Sequence, residues 1–167
     1  IEPDFEQIYH ESIKPLTSVN NTTLLSKIQE SGIVGLGGAG FPTHIKLSPP
    51  PENKVDTLIL NGAECEPYIT SDYREMIENP DGIIEGTKII MELTKIKKAF
   101  IGIESNKPEA IKILKDKVKN IDKIEVLELK SIYPQGAEKQ LIYMTTGKKV
   151  PAGGLPSDIG VLVQNIN

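Results

Sequence analysis

Four glycines within six residues make the segment 35–40 the part of the chain best able to approach an anion or a planar ring. They are Gly35, Gly37, Gly38 and Gly40. Without side chains, their backbone amides are unshielded and can bind a phosphate. The spacing matches the dinucleotide motif G-x-G-x-x-G, but that motif must follow a strand, and here it follows a predicted helix. Lys46, one turn beyond Pro42, is placed to neutralise a phosphate. A flexible glycine loop with a surface lysine is the alternative interpretation.

Two carboxylates and an amide follow the first predicted strand. Asn61, Glu64 and Glu66 occur within six residues, and side chains two apart on an extended chain share one face. Glu64 and Glu66 are therefore expected to face one cleft, where they could accept hydrogen bonds from ribose hydroxyls or from a ring N–H. No metal site is predicted, because no histidine or third acid is close in sequence. A solvated loop is the alternative.

Two further polar segments follow predicted strands. Tyr133, Gly136 and Glu138 lie between a strand and a helix, where the glycine permits close approach and the helix N-terminus attracts negative charge. Gln164 and Asn165 follow the last predicted strand. Tyr133 could equally be a core aromatic. Taken together, these segments suggest a nucleotide or a flavin without naming one.

The elements that must position these residues alternate between strand and helix. Strands are predicted at 55–60, 99–103, 124–129 and 161–163, and helices at 22–31, 80–92, 108–119 and 136–146. Short buried strands that alternate with helices predict an α/β fold, a Rossmann-like and mostly parallel sheet with helices on both faces. Ligands of such sheets bind at the carboxyl ends of the strands, where the polar segments lie.

Composition limits the remaining possibilities. The chain has 167 residues, a formal net charge of −4 and one cysteine. The acidic balance disfavours a nucleic-acid partner, and one cysteine cannot hold an iron–sulfur cluster alone. No apolar run reaches a membrane span, so a soluble domain is expected at 22–167, after a linker or lead-in arm at 1–21. The absence of an initial methionine and the last strand close to Asn167 suggest an excerpt of a longer protein.

Three sequence blocks resemble one family of electron-transport proteins. The blocks GLGGAGFPTHIK (35–46), LNGAECEPYITSDYR (60–74) and VPAGGLP (150–156) together look like the C subunit of the Rnf electron-transport complex. The glycine loop also resembles the flavin subunit of respiratory complex I. Cobalamin reductases and related clostridial electron carriers share the same blocks. The resemblance covers residues 32–167.

This resemblance implies a domain that binds FMN and NADH. In the family the loop glycines lie between flavin and NADH, a lysine meets the flavin phosphate, and an asparagine pair holds the phosphate end. These roles fall on Gly35, Gly37, Gly38, Gly40, Lys46, Gln164 and Asn165. The flavin contacts fall on Asn61, Glu64, Tyr133 and Gly136, the catalytic glutamates near the nicotinamide on Glu66 and Glu138, and the adenine-stacking aromatic on Phe41.

The implied activity is hydride transfer between the nicotinamide and FMN, with single electrons passing on to 4Fe-4S clusters outside this chain. The implied partners are NADH or NAD, other subunits of a membrane complex and, indirectly, ferredoxin, on the cytoplasmic face of the membrane. The chain departs from the complex I pattern at Ala63 and Ala137, where polar contacts are lost. Two alternatives therefore stay open: a flavin module of a soluble reductase, and a docking module that binds no flavin.

Overall fold

Four parallel strands form the centre of the molecule. The computed structural model describes residues 20–36 and 39–167, so the expected arm lies outside it except for residues 20 and 21. The strands are β1 (Thr57–Gly62), β2 (Lys98–Glu104), β3 (Ile124–Leu129) and β4 (Val161–Asn165), in the order β3-β2-β1-β4. Every neighbouring pair is parallel. The predicted α/β class and sheet are confirmed.

Six α-helices and one short 3₁₀ helix accompany the sheet in the described residues. They are α1 (Asn21–Glu30), α2 (Thr43–Lys46), α3 (Ser71–Glu78), α4 (Pro80–Thr94), α5 (Pro108–Val118), α6 (Glu138–Thr146) and the 3₁₀ helix Pro156–Ile159. Proline in the first turn begins both α4 and α5, because that position needs no N–H donor. Within the described ranges, no helix has the length and apolar character needed to cross a membrane.

The sheet is covered on both faces, as predicted. Alternate residues of β1 enter opposite cores, because side chains of a strand alternate between its faces. Leu58 and Leu60 pack in the larger core with buried residues of α3, α4 and α5. Ile59 packs in the smaller core with Leu141 and Ile142 of α6.

One helix begins later than predicted, and one helix was not predicted. Helix α1 lies close to its predicted range and is capped by Asn20, whose side chain accepts from the Thr23 N–H at 2.9 Å. Helix α6 begins at Glu138 rather than Gly136, because Ala137 has an extended backbone. Helix α3 was missed altogether. Only one of its eight side chains, Met76, is fully buried, and its first amides bind the carboxylate of Glu64, eight residues earlier.

The strand order has a switch point between β1 and β4. The chain moves from β1 outward to β2 and β3, and then returns to the other side of β1 for β4. Connections at the carboxyl ends of β1 and β4 therefore diverge, and ligands of open parallel sheets bind at this switch point. Asn61 and Asn165 are register partners at this point.

Candidate functional site

The glycine loop is closed by backbone hydrogen bonds at its base. The Gly35 N–H donates to the Phe41 carbonyl at 2.8 Å, and residues 34 and 42 form an isolated antiparallel bridge. Gly40 has a φ of 60°, which favours glycine. The Phe41 side chain is 48% exposed. Gly37 and Gly38 lie outside the described residues.

Two predicted site residues from distant parts of the chain form an ion pair. The Lys46 Nζ lies 3.0 Å from the Glu138 Oε1, at the end of α2 and the start of α6. Both side chains are partly exposed, at 28% and 41%. This contact joins the glycine-loop segment to the segment that follows β3, so the lysine expected at a phosphate is neutralised by a carboxylate in this structure.

The segments that follow β1 and β3 are locked together by short contacts. The Asn61 Nδ2 donates to the Gly136 carbonyl at 2.9 Å, and the Asn61 Oδ1 accepts from the Ala63 N–H. The Gly136 N–H donates to the Cys65 Sγ at 3.3 Å. A Cβ at residue 136 would lie 3.1 Å from that sulfur, so a side chain there would push the two segments apart.

Glu64 does not lie on an extended chain as expected, although Glu64 and Glu66 line the same cleft. Its φ is 48°, and its carboxylate accepts from the N–H groups of Asp72 and Tyr73 at the start of α3. Burial raises the pKa of the Glu64 carboxyl, and these two backbone hydrogen bonds oppose the rise. Glu66, by contrast, is exposed.

The end of β4 is held to α3 through Asp72. The Asn165 Nδ2 donates to the Asp72 Oδ2 at 3.1 Å, and the Asn167 amide donates to the other oxygen. Burial raises the pKa of the Asp72 carboxyl, and the hydrogen bond from Asn165 opposes that rise. Gln164 is buried, and its Nε2 has no hydrogen-bond partner among the described residues.

Sequence reasoning missed a buried cation beneath the loop that follows β1. The Lys107 Nζ donates to the Ala63 carbonyl at 2.7 Å and lies 3.7 Å from the Glu104 Oε2. The side chains of this pair are only 9% and 4% exposed. A lysine that directly precedes a proline, as Lys107 precedes Pro108, gives no sequence signal of burial.

An open cleft of about 470 Å³ lies beside these groups. Its wall is formed by residues 64–70, 73, 104, 106, 107 and 131–133. Glu66 lines the cleft, and Tyr68 and Tyr133 expose most of their side chains at it. In the described ranges, no three His, Cys, Asp or Glu side chains are grouped as a metal site would need.

The described site residues thus converge in part. Lys46 contacts Glu138, Asn61 contacts Gly136, and Glu66 and Tyr133 share the cleft. The fold therefore gathers at one edge of the sheet residues that are up to about 100 positions apart, as the parallel arrangement predicted.

Comparison with known proteins assigns this arrangement to a family. Residues 28–167 match the model of the Nuo51 FMN-binding domain. The chain belongs to this family. The Nuo51-type fold also occurs in a solved NAD+-reducing nickel–iron hydrogenase in its air-oxidised state, with a TM-score of 0.77. That likeness covers 88% of this chain and 29% of the hydrogenase chain at 24% identity, and it shows the fold alone.

Relatives of this Nuo51-type domain confirm the resemblance to the Rnf family. The chain is 56% identical over 143 residues to the C subunit of the proton-translocating ferredoxin:NAD(+) oxidoreductase complex of Clostridium ljungdahlii, covering 86% of this chain and 31% of the relative. It is 46% identical to the Na(+)-translocating counterpart of Acetobacterium woodii, covering 99% of this chain and 38% of the relative. The chain therefore spans about a third of the length of these curated relatives.

Proposed function

We propose that this chain is the FMN-binding module of the C subunit of an ion-translocating ferredoxin:NAD oxidoreductase complex of the Rnf type. The observation that carries the proposal is the 56% identity to a C subunit of that class, over 86% of the chain. The family match across residues 28–167 supports FMN as the cofactor. On this proposal the chain exchanges electrons between NADH and FMN.

The residues at the carboxyl edge fit such a cofactor. Gly136 keeps the segments that follow β1 and β3 close together at the edge where the cofactor would bind, because a Cβ at this position would lie 3.1 Å from the Cys65 Sγ. Gln164 offers a buried amide donor without a partner among the described residues, which suits an acceptor group such as a phosphate oxygen. Lys46, partly exposed at the same edge, would supply positive charge to a phosphate.

The other proposed contacts follow from the same edge. The carboxyl ends of β1 and β4 would present the polar groups of Asn61 and Asn165, and the loop glycines would lie against the cofactor. Phe41 would stack on the adenine of NADH, and Tyr133 would contact the flavin. Glu64 would act through its hold on α3, because its carboxylate is already bonded to two backbone amides.

Bound FMN would supply hydride exchange with the nicotinamide and release of electrons one at a time. The part of the chain in this chemistry is to orient the rings and to set the charge around them. Glu66 and Glu138 would provide negative charge near the nicotinamide, where an oxidised ring is cationic. Once Lys46 turns to the flavin phosphate, the carboxylate of Glu138 would be left with its full negative charge.

The partners follow from the relatives. We propose other subunits of a membrane complex as direct partners, with ferredoxin reached indirectly. The 4Fe-4S clusters that accept single electrons would have their ligands outside these residues, since the chain contains one cysteine. The module would lie peripherally on the cytoplasmic face of the membrane, held by its partner subunits. The acidic net charge of −4 gives no support for a nucleic-acid partner.

A flavin titration tests the proposal. The protein is titrated with FMN, and NADH is then added without oxygen while the flavin absorbance is followed. Saturable binding followed by bleaching is the expected result. A full-length protein that binds no FMN would contradict the proposal and favour the docking module suggested by Ala63 and Ala137. Purification without membrane subunits, but with an intact flavin reaction, would favour the soluble reductase.

A further inference from the structure

A buried charge pair lies directly beneath the loop that carries the proposed flavin contacts. The Lys107 Nζ donates to the Ala63 carbonyl at 2.7 Å and lies 3.5 Å from the next carbonyl, that of Glu64. These are the residues where the chain leaves β1 and turns to a positive φ. One ammonium group therefore fixes the direction of the loop between Asn61 and Glu66.

The ammonium group has no N–H left for a ligand. The Lys107 Nζ donates to the carbonyls of Ala63 and Glu64 and to the Asn106 Oδ1, the last at 3.2 Å. An ammonium has three donors, and these three acceptors use them, while the Glu104 Oε2 faces the group at 3.7 Å as its charge partner. The carboxylate of Glu104 is held in turn by the Ser131 hydroxyl at 3.2 Å. Lys107 would therefore act on a ligand through its charge and through the loop it holds.

We propose that Lys107 and Glu104 form a charge pair that positions the loop after β1 and sets the reduction potential of the flavin bound there. This inference rests on the proposed function. Reduction adds electrons to the flavin, so a nearby positive charge favours the reduced form and a nearby negative charge favours the oxidised form. A pair that is 9% and 4% exposed is poorly screened by water and salt, so each charge acts over a longer range than at the surface.

Removing either charge of the pair should shift the midpoint potential of the flavin, and the two shifts should have opposite signs. A purely structural role of the pair would not predict opposite signs. Removal of the positive charge in Lys107→Met should lower the two-electron midpoint potential of the bound FMN. Removal of the negative charge in Glu104→Gln should raise it. Each change is expected to alter the affinity ratio of reduced to oxidised flavin by about tenfold, which is about 30 mV for a two-electron couple. This is the order of magnitude for one unit charge acting over about 12 Å at an effective dielectric constant of about 20.

The experiment measures these potentials in the full-length protein, with Lys112→Met as the matched control. Lys112 is an exposed lysine on the same helix, α5, and its replacement should leave the potential unchanged. The double variant Lys107→Met with Glu104→Gln should return close to the wild-type potential. Shifts in the same direction, or unchanged potentials in both single variants, would overturn the inference while leaving the proposed function standing.

A second readout follows the loop without any cofactor. Cys65 is the single cysteine of the chain and lies in this loop, so the rate at which a thiol reagent labels it reports how often the loop opens. Lys107→Met should raise that rate about tenfold, the factor that corresponds to one lost charge-assisted hydrogen bond. An unchanged rate would overturn the positioning role. Failure of the wild-type protein to bind FMN would instead overturn the proposed function and the predicted potential together.

Discussion

The ion pair between Lys46 and Glu138 predicts that substitutions of its two members change FMN affinity in opposite directions. If the Lys46 ammonium binds the flavin phosphate, Lys46→Met removes a charge-assisted hydrogen bond worth about 1.5–3 kcal/mol. The dissociation constant of FMN should therefore rise by about 10- to 150-fold. Glu138→Gln removes the group that holds the same ammonium at 3.0 Å.

The gain in FMN affinity expected from Glu138→Gln is smaller, and its size follows from how far the Lys46 and Glu138 side chains are exposed to solvent. The two side chains are 28% and 41% exposed, so the pair resembles a surface ion pair worth about 0.2–1 kcal/mol. A phosphate must compete with Glu138 for the lysine in the wild-type protein. Without that competitor, FMN should bind about 1.5- to 5-fold more tightly, while reduction of the flavin by NADH should slow if Glu138 acts near the nicotinamide.

Riboflavin provides the control, because it carries the same ring without the phosphate. The assay measures quenching of flavin fluorescence for FMN and riboflavin with the wild-type protein and both variants. The affinity for FMN divided by the affinity for riboflavin should fall in Lys46→Met and rise in Glu138→Gln. High salt should reduce both effects. A ratio unchanged in Lys46→Met would refute the phosphate role of this lysine. Equal loss of both ligands would indicate a collapsed site.

Three further predictions concern the stability of the fold. Burial raises the pKa of the Asp72 carboxyl above its ordinary value of 3.8, so its contribution to the free energy of unfolding is present at low pH and is lost as the pH rises through the raised pKa. In urea unfolding at several pH values, Asp72→Asn should flatten this decline in stability. An unaltered pH profile would contradict the assignment. Asn79→Ala should lower the unfolding free energy by about 1 kcal/mol, because the Asn79 side chain caps α4, and Asn79→Asp should retain most of it. Gly102→Ala should destabilise the protein by about 1–3 kcal/mol, because the new Cβ would lie 2.9 Å from a Leu129 methyl. Gly86→Ala meets no atom within 4 Å and should stabilise α4 by about 0.5–1 kcal/mol. Equal effects of the two alanines in thermal unfolding would contradict this steric argument.

The predictable part of the fold is the part that depends on short-range patterns. All four strands and the helices α1, α4, α5 and α6 followed from apolar runs and terminal signals, and β3 was predicted with its observed bounds, Ile124–Leu129. Helix α3 could not be predicted this way. Its N-terminal amides bind the Glu64 carboxylate, a contact across the loop between β1 and α3 that no periodic pattern in the sequence marks.

The candidate site likewise has a part that could be predicted from the sequence and a part that could not. The sequence indicated which segments gather at the carboxyl edge, because that follows from strand direction alone. It could not indicate that the Glu64 carboxylate would bind the first amides of α3, or that Lys46 would be neutralised by Glu138. Lys107 was missed because burial of a lysine depends on carbonyl groups that lie more than 40 residues earlier in the chain. Such contacts depend on the tertiary structure and produce no periodic pattern of residue types in the sequence.

The position of β4 beside β1 has a consequence for the order in which the molecule folds. Pairing these strands closes a loop of roughly 100 residues, at an entropic cost of about 4 kcal/mol. By contrast, β1, β2 and β3 are joined in sequence through α4 and α5, and their contacts are more local. We expect β4 to dock late, on a preformed three-stranded sheet. Gln164 and Asn165 would then reach their places only after the carboxyl ends of the other strands have formed. A ligand that contacts both β1 and β4 would therefore bind only the completed fold and would slow its unfolding.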